Sequence, residues 1–158
     1  MPVLIRRVRQ PHGWLGNMSP HPVTHDGVEW PTAEALFQAL RFSDPDARAA
    51  VRAAPGPMAA KQTAHDMADR MVVTPRSDAD VANMRLVLRL KLDQHPELQT
   101  RLLATGEEPI VEDCSNRRTE SGLFWGAALV DGAWVGQNTL GRLWLDLRAE
   151  LAAGVPGG

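Results

Sequence analysis

Four short segments of this 158-residue chain carry side chains whose types and spacing suit chemistry. In GWLGNMSP, Asn17 sits in a tight loop whose glycines let backbone approach a ligand closely; simple turn chemistry reads the same way. In WPTAEALFQ, Glu34 falls in the first turn of an otherwise apolar helix. A carboxylate there either faces the helix dipole favourably or, partly buried, serves as a general acid or base. In GPMAAK, Lys61 follows a proline start on a helix of small residues, as a surface cation or as a reactive amine. The fourth segment, LFWGAALVDGAWVGQNTLGRLWLDLR, offers Trp125 as an aromatic plate, and Asn138 with open backbone amides at a helix start. Aromatic faces stack bases and helix N-termini hold phosphates; packing within the core is the alternative use of the same residues. Arg117 and Arg118, in the polar loop just before, are either a phosphate clamp or a solvated charge pair.

Other chemistries are excluded or poorly supported. The chain has no Walker loop, GxGxxG, GxSxG or HExxH sequence. His21, His25 and Asp26 match no strong metal-ligand spacing, and no metal or other cofactor is expected. Cys114 stands alone, which precludes an internal disulfide and fits a reducing cytoplasm, with the thiol an inert packed group. Seventeen basic and nineteen acidic side chains give a net charge of -2, so the broad attraction of a general nucleic-acid binder is missing, although a local basic pocket is not. No apolar run approaches a bilayer-spanning length and no signal-peptide pattern is seen, so no membrane partner is expected. Fifteen arginines accompany only two lysines, Lys61 and Lys91, so any amine chemistry has two candidates. Lys91, inside a long helix, reads as structural, and biased codon usage accounts for the imbalance as well.

The elements that must position these residues follow from local signals. VLIRRV and PIVED predict short strands, and Val23 to Trp30 a hairpin about Asp26-Gly27. Thr32 is placed to cap a helix through AEALFQALRF that stops near Asp44-Pro45. Further helices are predicted from Pro45 to Ala54, from Pro57 to about Met71, and from a Ser77 or Asp78 cap to about Gln94. Pro96 restarts a helix that Gly106 ends. CSNRRTESG reads as a loop, LFWGAALVDG as a strand region, and Asn138 precedes a final amphipathic helix. The expectation is a single α+β domain over residues 1–153, mainly helical with a few short strands, and a frayed tail at 154–158.

Taken in chain order, GWLGNMSPHPVTHDGVEWPTAEALFQALRF, PGPMAAK, LKLDQHPELQTRLLATGEEPIVED, FWG and GQNTLGRLWLDLR resemble the signature blocks of the NADAR family, the YbiA-like N-glycosidases. Each block alone is weakly specific; the ordered set, covering most of the chain from Gly13 to Leu151, is not. The resemblance implies a compact, mainly helical α+β fold and cleavage of the bond between a ribose and a base or amine. It associates two substrate classes with that chemistry: ADP-ribose on guanine, free or in DNA or RNA, and phosphoribosylated aminouracil or aminopyrimidine intermediates of riboflavin synthesis. A non-catalytic module that binds ADP-ribose or a related nucleotide would use the same pocket. By motif, Glu34 and Lys61 match the family's catalytic glutamate and lysine, with Lys61 as proton donor or Schiff-base amine. Asn17, Trp30, Trp125, Gly126, Asn138 and Gly141 match pocket positions, and Arg118 is added as a phosphate contact. The chain departs from the pattern at Ala35, where the family often has histidine, and at Arg41, where it commonly has lysine. The acidic residue usual before the Phe-Trp-Gly block is missing, and Glu120 or Asp113 are its possible replacements.

Overall fold

The computed structural model describes residues 1–154; of the expected tail, residues 155–158 lie outside the described residues. The architecture is α+β and mainly helical: seven α-helices and six three-residue strands among the described residues. The chain forms two compact units, one from Asn17–Gln94 and one from Met1–Gly16 together with the chain from His95 onward.

In the Asn17–Gln94 unit, β2 (Val23–His25) and β3 (Val28–Trp30) form an antiparallel hairpin, with Asp26 and Gly27 both at positive φ in the turn. That is the geometry an Asp-Gly pair favours. Helix α1 (Ala33–Ala39) starts where Thr32 accepts a hydrogen bond from the Ala35 amide at 3.1 Å. Asp44 caps α2 (Pro45–Ala53) through the Asp46 amide, and α3 (Pro57–Asp66) begins at its proline. The predicted run of α3 to Met71 is corrected: the α-helix ends at Asp66 and a 3-10 turn covers Ala68–Arg70. Ser77 receives the Asp80 amide and opens the longest helix, α4 (Asp78–Gln94). Leu36, Phe37, Phe42, Val51, Val87 and Leu88 are buried in the core beneath these helices. Burying such side chains contributes about 1.5–3 kcal/mol each before chain entropy is offset.

In the other unit, β1 (Val3–Ile5) pairs in parallel with β4 (Ile110–Glu112). Helices α5 (Pro96–Ala104) and α7 (Thr139–Ala152) pack against each other, and α7 also packs on β4. Trp144 is fully buried, edge-on to Trp14 with centroids 6.4 Å apart, and its indole donates to the Leu15 carbonyl at 3.0 Å. The strand expected at LFWGAALVDG is corrected in its first half. Glu120–Trp125 is helix α6, because Thr119 accepts the Gly122 amide and starts a helical turn before the apolar residues. The second half supplies β5 (Ala128–Val130), paired antiparallel with β6 (Ala133–Val135).

Candidate functional site

The four site residues of the Asn17–Gln94 unit do not share one environment. Glu34 is 7% exposed, an unusual place for a carboxylate unless it is paired. Its backbone amide donates to the Asn17 carbonyl at 3.0 Å, which ties the loop after Gly16 to the first turn of α1. Its Oε1 accepts a 2.9 Å hydrogen bond from Gln38 Nε2, one turn further along. Gln38 Oε1 in turn accepts from Arg41 Nη1 at 3.1 Å. Arg41 grips Asp80 with two hydrogen bonds, Nε to Oδ1 at 2.9 Å and Nη2 to Oδ2 at 2.8 Å. Asp80 is fully buried and also accepts the Arg76 amide. Glu34, Gln38, Arg41 and Asp80 therefore form one continuous buried polar chain.

Two further site residues of this unit each carry a buried polar atom with no protein partner. Asn17 is 8% exposed; its Nδ2 donates to the Met84 thioether at 3.0 Å, a weak acceptor, and its Oδ1 is buried without a partner. Trp30, 6% exposed at the end of β3, has a buried indole N–H with no partner. Leaving such an atom unmatched costs about 1–3 kcal/mol, so each calls for a polar partner from water or a ligand. Two surface grooves, of about 320 Å³ beside Trp14 and Arg101 and about 560 Å³ beside Glu29, Pro31 and Arg52, are not lined by Glu34.

The two lysines lie in opposite environments. Lys61 is exposed on α3, in solvent. Lys91 is completely buried on α4, donates to the Ser19 hydroxyl at 2.7 Å, and burial lowers its pKa from 10.5 to about 7. Ser19 Oγ lies 2.9 Å from His21 Nδ1, so a line of polar groups runs from Lys91 to the half-buried imidazole. Sequence reasoning took Lys91 as structural and did not anticipate its complete burial. Its signal was present, since Lys91 lies three and four residues after Leu88 and Val87 on the apolar stripe of α4. Gln38, Arg41 and Asp80 were likewise not singled out for a role at the site.

The remaining site residues belong to the other unit, where most are brought together around β4. Asn138, in the left-handed conformation at φ 50°, donates from Nδ2 to the Ile110 carbonyl at 2.8 Å and accepts the Glu112 amide on Oδ1 at 3.0 Å. Its backbone amide bonds Gly126. A Cβ on Gly141 would fall 2.1 Å from the Ile110 carbonyl oxygen, and one on Gly126 2.3 Å from that of Glu112. The Gly-x-Asn-x-x-Gly spacing, expected to present a helix start to a ligand, thus fastens α7 and the Gly126 turn to the strand β4. Trp125 is 8% exposed and edge-on to Phe124. Arg118 is exposed and bonds the carbonyls of Ser115 and Leu129.

Asp113, a possible replacement for the missing acidic residue, is already committed: Arg6 donates to Oδ2 at 2.7 Å, and the Ser115 hydroxyl and amide donate to Oδ1. Burial acts to raise its pKa, but these bonds outweigh it and hold the carboxyl below the usual range. Burial, followed by the nearby Glu112 charge, raises the Cys114 thiol, the opposite of an activated nucleophile. Among the described residues, no three His, Cys, Asp or Glu side chains converge as metal ligands would, and no helix is long and apolar enough to cross a membrane.

Comparison with known proteins agrees with the arrangement of these segments. The NADAR domain family matches residues 5–152. N-glycosidase YbiA of Escherichia coli K12 is 36% identical over 141 residues, covering 89% of this chain and 82% of that protein. The solved solution structure of Escherichia coli YbiA superposes with a TM-score of 0.77 at 32% identity, covering 98% of this chain and 88% of that one. The riboflavin biosynthesis protein VVA0006 of Vibrio vulnificus is 29% identical over 155 residues, which span 98% of this chain and 40% of that longer protein. With the match running through nearly every element that holds Glu34, Asn17 and the β4 cluster, this chain belongs to the NADAR family.

Proposed function

We propose that the protein is an N-glycosidase that hydrolyses the bond between a ribose and a base, with Glu34 as its working carboxylate. The observation that carries this reading is a buried glutamate fixed at both ends, its amide by Asn17 and its Oε1 by Gln38. In the reaction the C1′–N bond breaks, its electron pair leaves with the base nitrogen, and that nitrogen takes up a proton. Water adds its oxygen to C1′ and gives up a proton. Positive charge develops at the anomeric carbon, which a preorganised carboxylate stabilises while it receives the proton from water. Asn17 Oδ1 is suited to accept from a ribose hydroxyl, and Trp30 Nε1 to donate to a phosphate or base oxygen. Lys61, exposed on α3, supplies cationic charge for phosphate. Within the other unit, Trp125 offers an aromatic face and Arg118 an exposed cation. Asn138, Gly126 and Gly141 act by fixing β4.

The substrate we assign is ADP-ribose attached to guanine, as nucleoside or within DNA or RNA, the first of the two classes associated with the family. A specific observation favours a second reading. A relative named for riboflavin biosynthesis aligns along nearly all of this chain, which supports a phosphoribosylated aminouracil or aminopyrimidine as substrate. Hydrolysis by water through Glu34 is preferred to a Schiff-base route, because the buried environment that releases an amine's proton surrounds Lys91 and not Lys61. The deciding experiment offers purified protein ADP-ribosylated guanosine, the same adduct in single-stranded DNA, and a phosphoribosyl-aminouracil, and follows released ADP-ribose for the first two and released aminouracil for the third. Release from the first two supports the guanine reading, and release only from the third supports the riboflavin-type substrate. Binding of ADP-ribose without cleavage of any of the three substrates by the wild-type protein contradicts an enzyme and identifies a binding module.

A further inference from the structure

Glutamine carries a donor at one end of its amide and an acceptor at the other, and the two ends differ only in which partner each meets. In the buried chain of the Asn17–Gln94 unit, Gln38 lies between a partner that can only donate and one that, ionised, can only accept. Arg41 presents N–H groups to Gln38 Oε1 at 3.1 Å, and Glu34 presents Oε1 to Gln38 Nε2 at 2.9 Å. The three side chains sit at i, i+4 and i+7, one face of α1 and the turn after it. Arg41 is itself anchored: the Nε–Nη2 edge of its guanidinium bonds Asp80, its guanidinium lies 4.7 Å from the Phe37 ring centre, and its carbonyl accepts the amides of Val72 and Val73. Asp80 is anchored in turn by the Arg76 amide.

We propose that Gln38 is a positioning residue for Glu34, and that the Arg41–Asp80 pair latches the Gln38 amide so that its N–H₂ faces the Glu34 carboxylate. The latch fixes Oε1 and so turns Oε2 toward the reacting groups. With the latch removed, the Gln38 amide is free to rotate by half a turn and present its oxygen to Glu34, where two acceptors repel. The property that matters at position 41 is a side chain that only donates, so lysine, common there in the family pattern, satisfies the same requirement. This inference rests on Glu34 being the working carboxylate.

The test is a double-mutant cycle on kcat and KM for glycosidic-bond cleavage, with folding checked by thermal melting. Gln38→Met keeps the volume and removes both hydrogen bonds; kcat is expected to fall about tenfold to a hundredfold, with KM within about threefold, as for loss of a bond to a charged group. Arg41→Met alone strands a buried Asp80 charge and endangers folding, so the latch is removed as Arg41→Met/Asp80→Asn. That pair should lower kcat in the Gln38 background and have no further effect in the Gln38→Met background. Arg41→Lys should retain kcat within about threefold. Equal losses in both backgrounds, or a Gln38→Met protein with wild-type kcat, overturn the proposal while leaving Glu34 in its role. A wild-type protein that cleaves none of the three substrates overturns the glycosidase reading itself, and the positioning role with it.

Discussion

The amide of Glu34 donates to the carbonyl of Asn17 at 3.0 Å, so the first turn of α1 and the loop that precedes the β2–β3 hairpin are held as one piece. The same Asn17 keeps Oδ1 buried and unpaired. A residue whose backbone organises the carboxylate while its side chain is left poorly satisfied is expected to separate stability from function.

Asn17→Ala should therefore leave the backbone contact intact and shift stability by less than about 1 kcal/mol, since the amide's one side-chain partner is a thioether. KM for the glycoside should rise at least about tenfold, reflecting a lost hydrogen bond to substrate. Parallel thermal melts and steady-state kinetics check this; a lower melting temperature with unchanged KM would show that Asn17 is purely structural.

The β4 cluster should behave in the opposite way. Gly141→Ala drives a methyl against the Ile110 carbonyl, and overpacking of this kind costs about 1–3 kcal/mol or more. Asn138→Ala strands the Ile110 carbonyl and Glu112 amide and should cost a similar amount. Urea titration measures both, and a wild-type midpoint in either variant would contradict the role assigned to this cluster.

Lys91 gives a pH dependence of definite sign. Its folded pKa is about 7 and its reference value 10.5, so between these the unfolded chain holds a proton that the folded chain has lost. The penalty for burying the ammonium is fully present below pH 7 and is relieved as pH rises, by up to about 1.4 kcal/mol per unit. Unfolding free energies of wild type and Lys91→Met, compared from pH 6 to pH 9, should diverge with the wild type gaining relative stability upward. Parallel curves would mean that Lys91 titrates normally.

Much of the framework was legible because its signals are local. Thr32 caps α1, Asp44 caps α2, Ser77 starts α4, and prolines open α2, α3 and α5, each through contacts a few residues apart. LFW was misread as strand because its three apolar residues show no period of their own; the Thr119 cap, within what read as loop, decided for helix. At the site, Glu34 and Asn17 could be singled out from their surroundings in sequence. The latch could not, since Arg41 and Asp80 are 39 residues apart and only the fold brings them together. Lys91 and Ser19, separated by 72, met the same obstacle, although the apolar stripe around Lys91 announced its burial.

The exposure of Lys61 bears on the reaction route. Lys61→Arg keeps the positive charge and should retain kcat within about threefold if water, activated at Glu34, is the nucleophile. Borohydride added during turnover should trap no adduct at Lys61. A reduced adduct mapped to that residue by mass spectrometry would establish the covalent route instead.

The most direct test compares wild type with Glu34→Gln on ADP-ribosylated guanosine and on the phosphoribosyl-aminouracil, measuring released ADP-ribose or aminouracil together with ligand binding. The account predicts release by the wild type, a fall in kcat of at least about 10²-fold in the variant, in line with loss of a general acid–base group, and binding that persists. Wild-type rates in Glu34→Gln would contradict it.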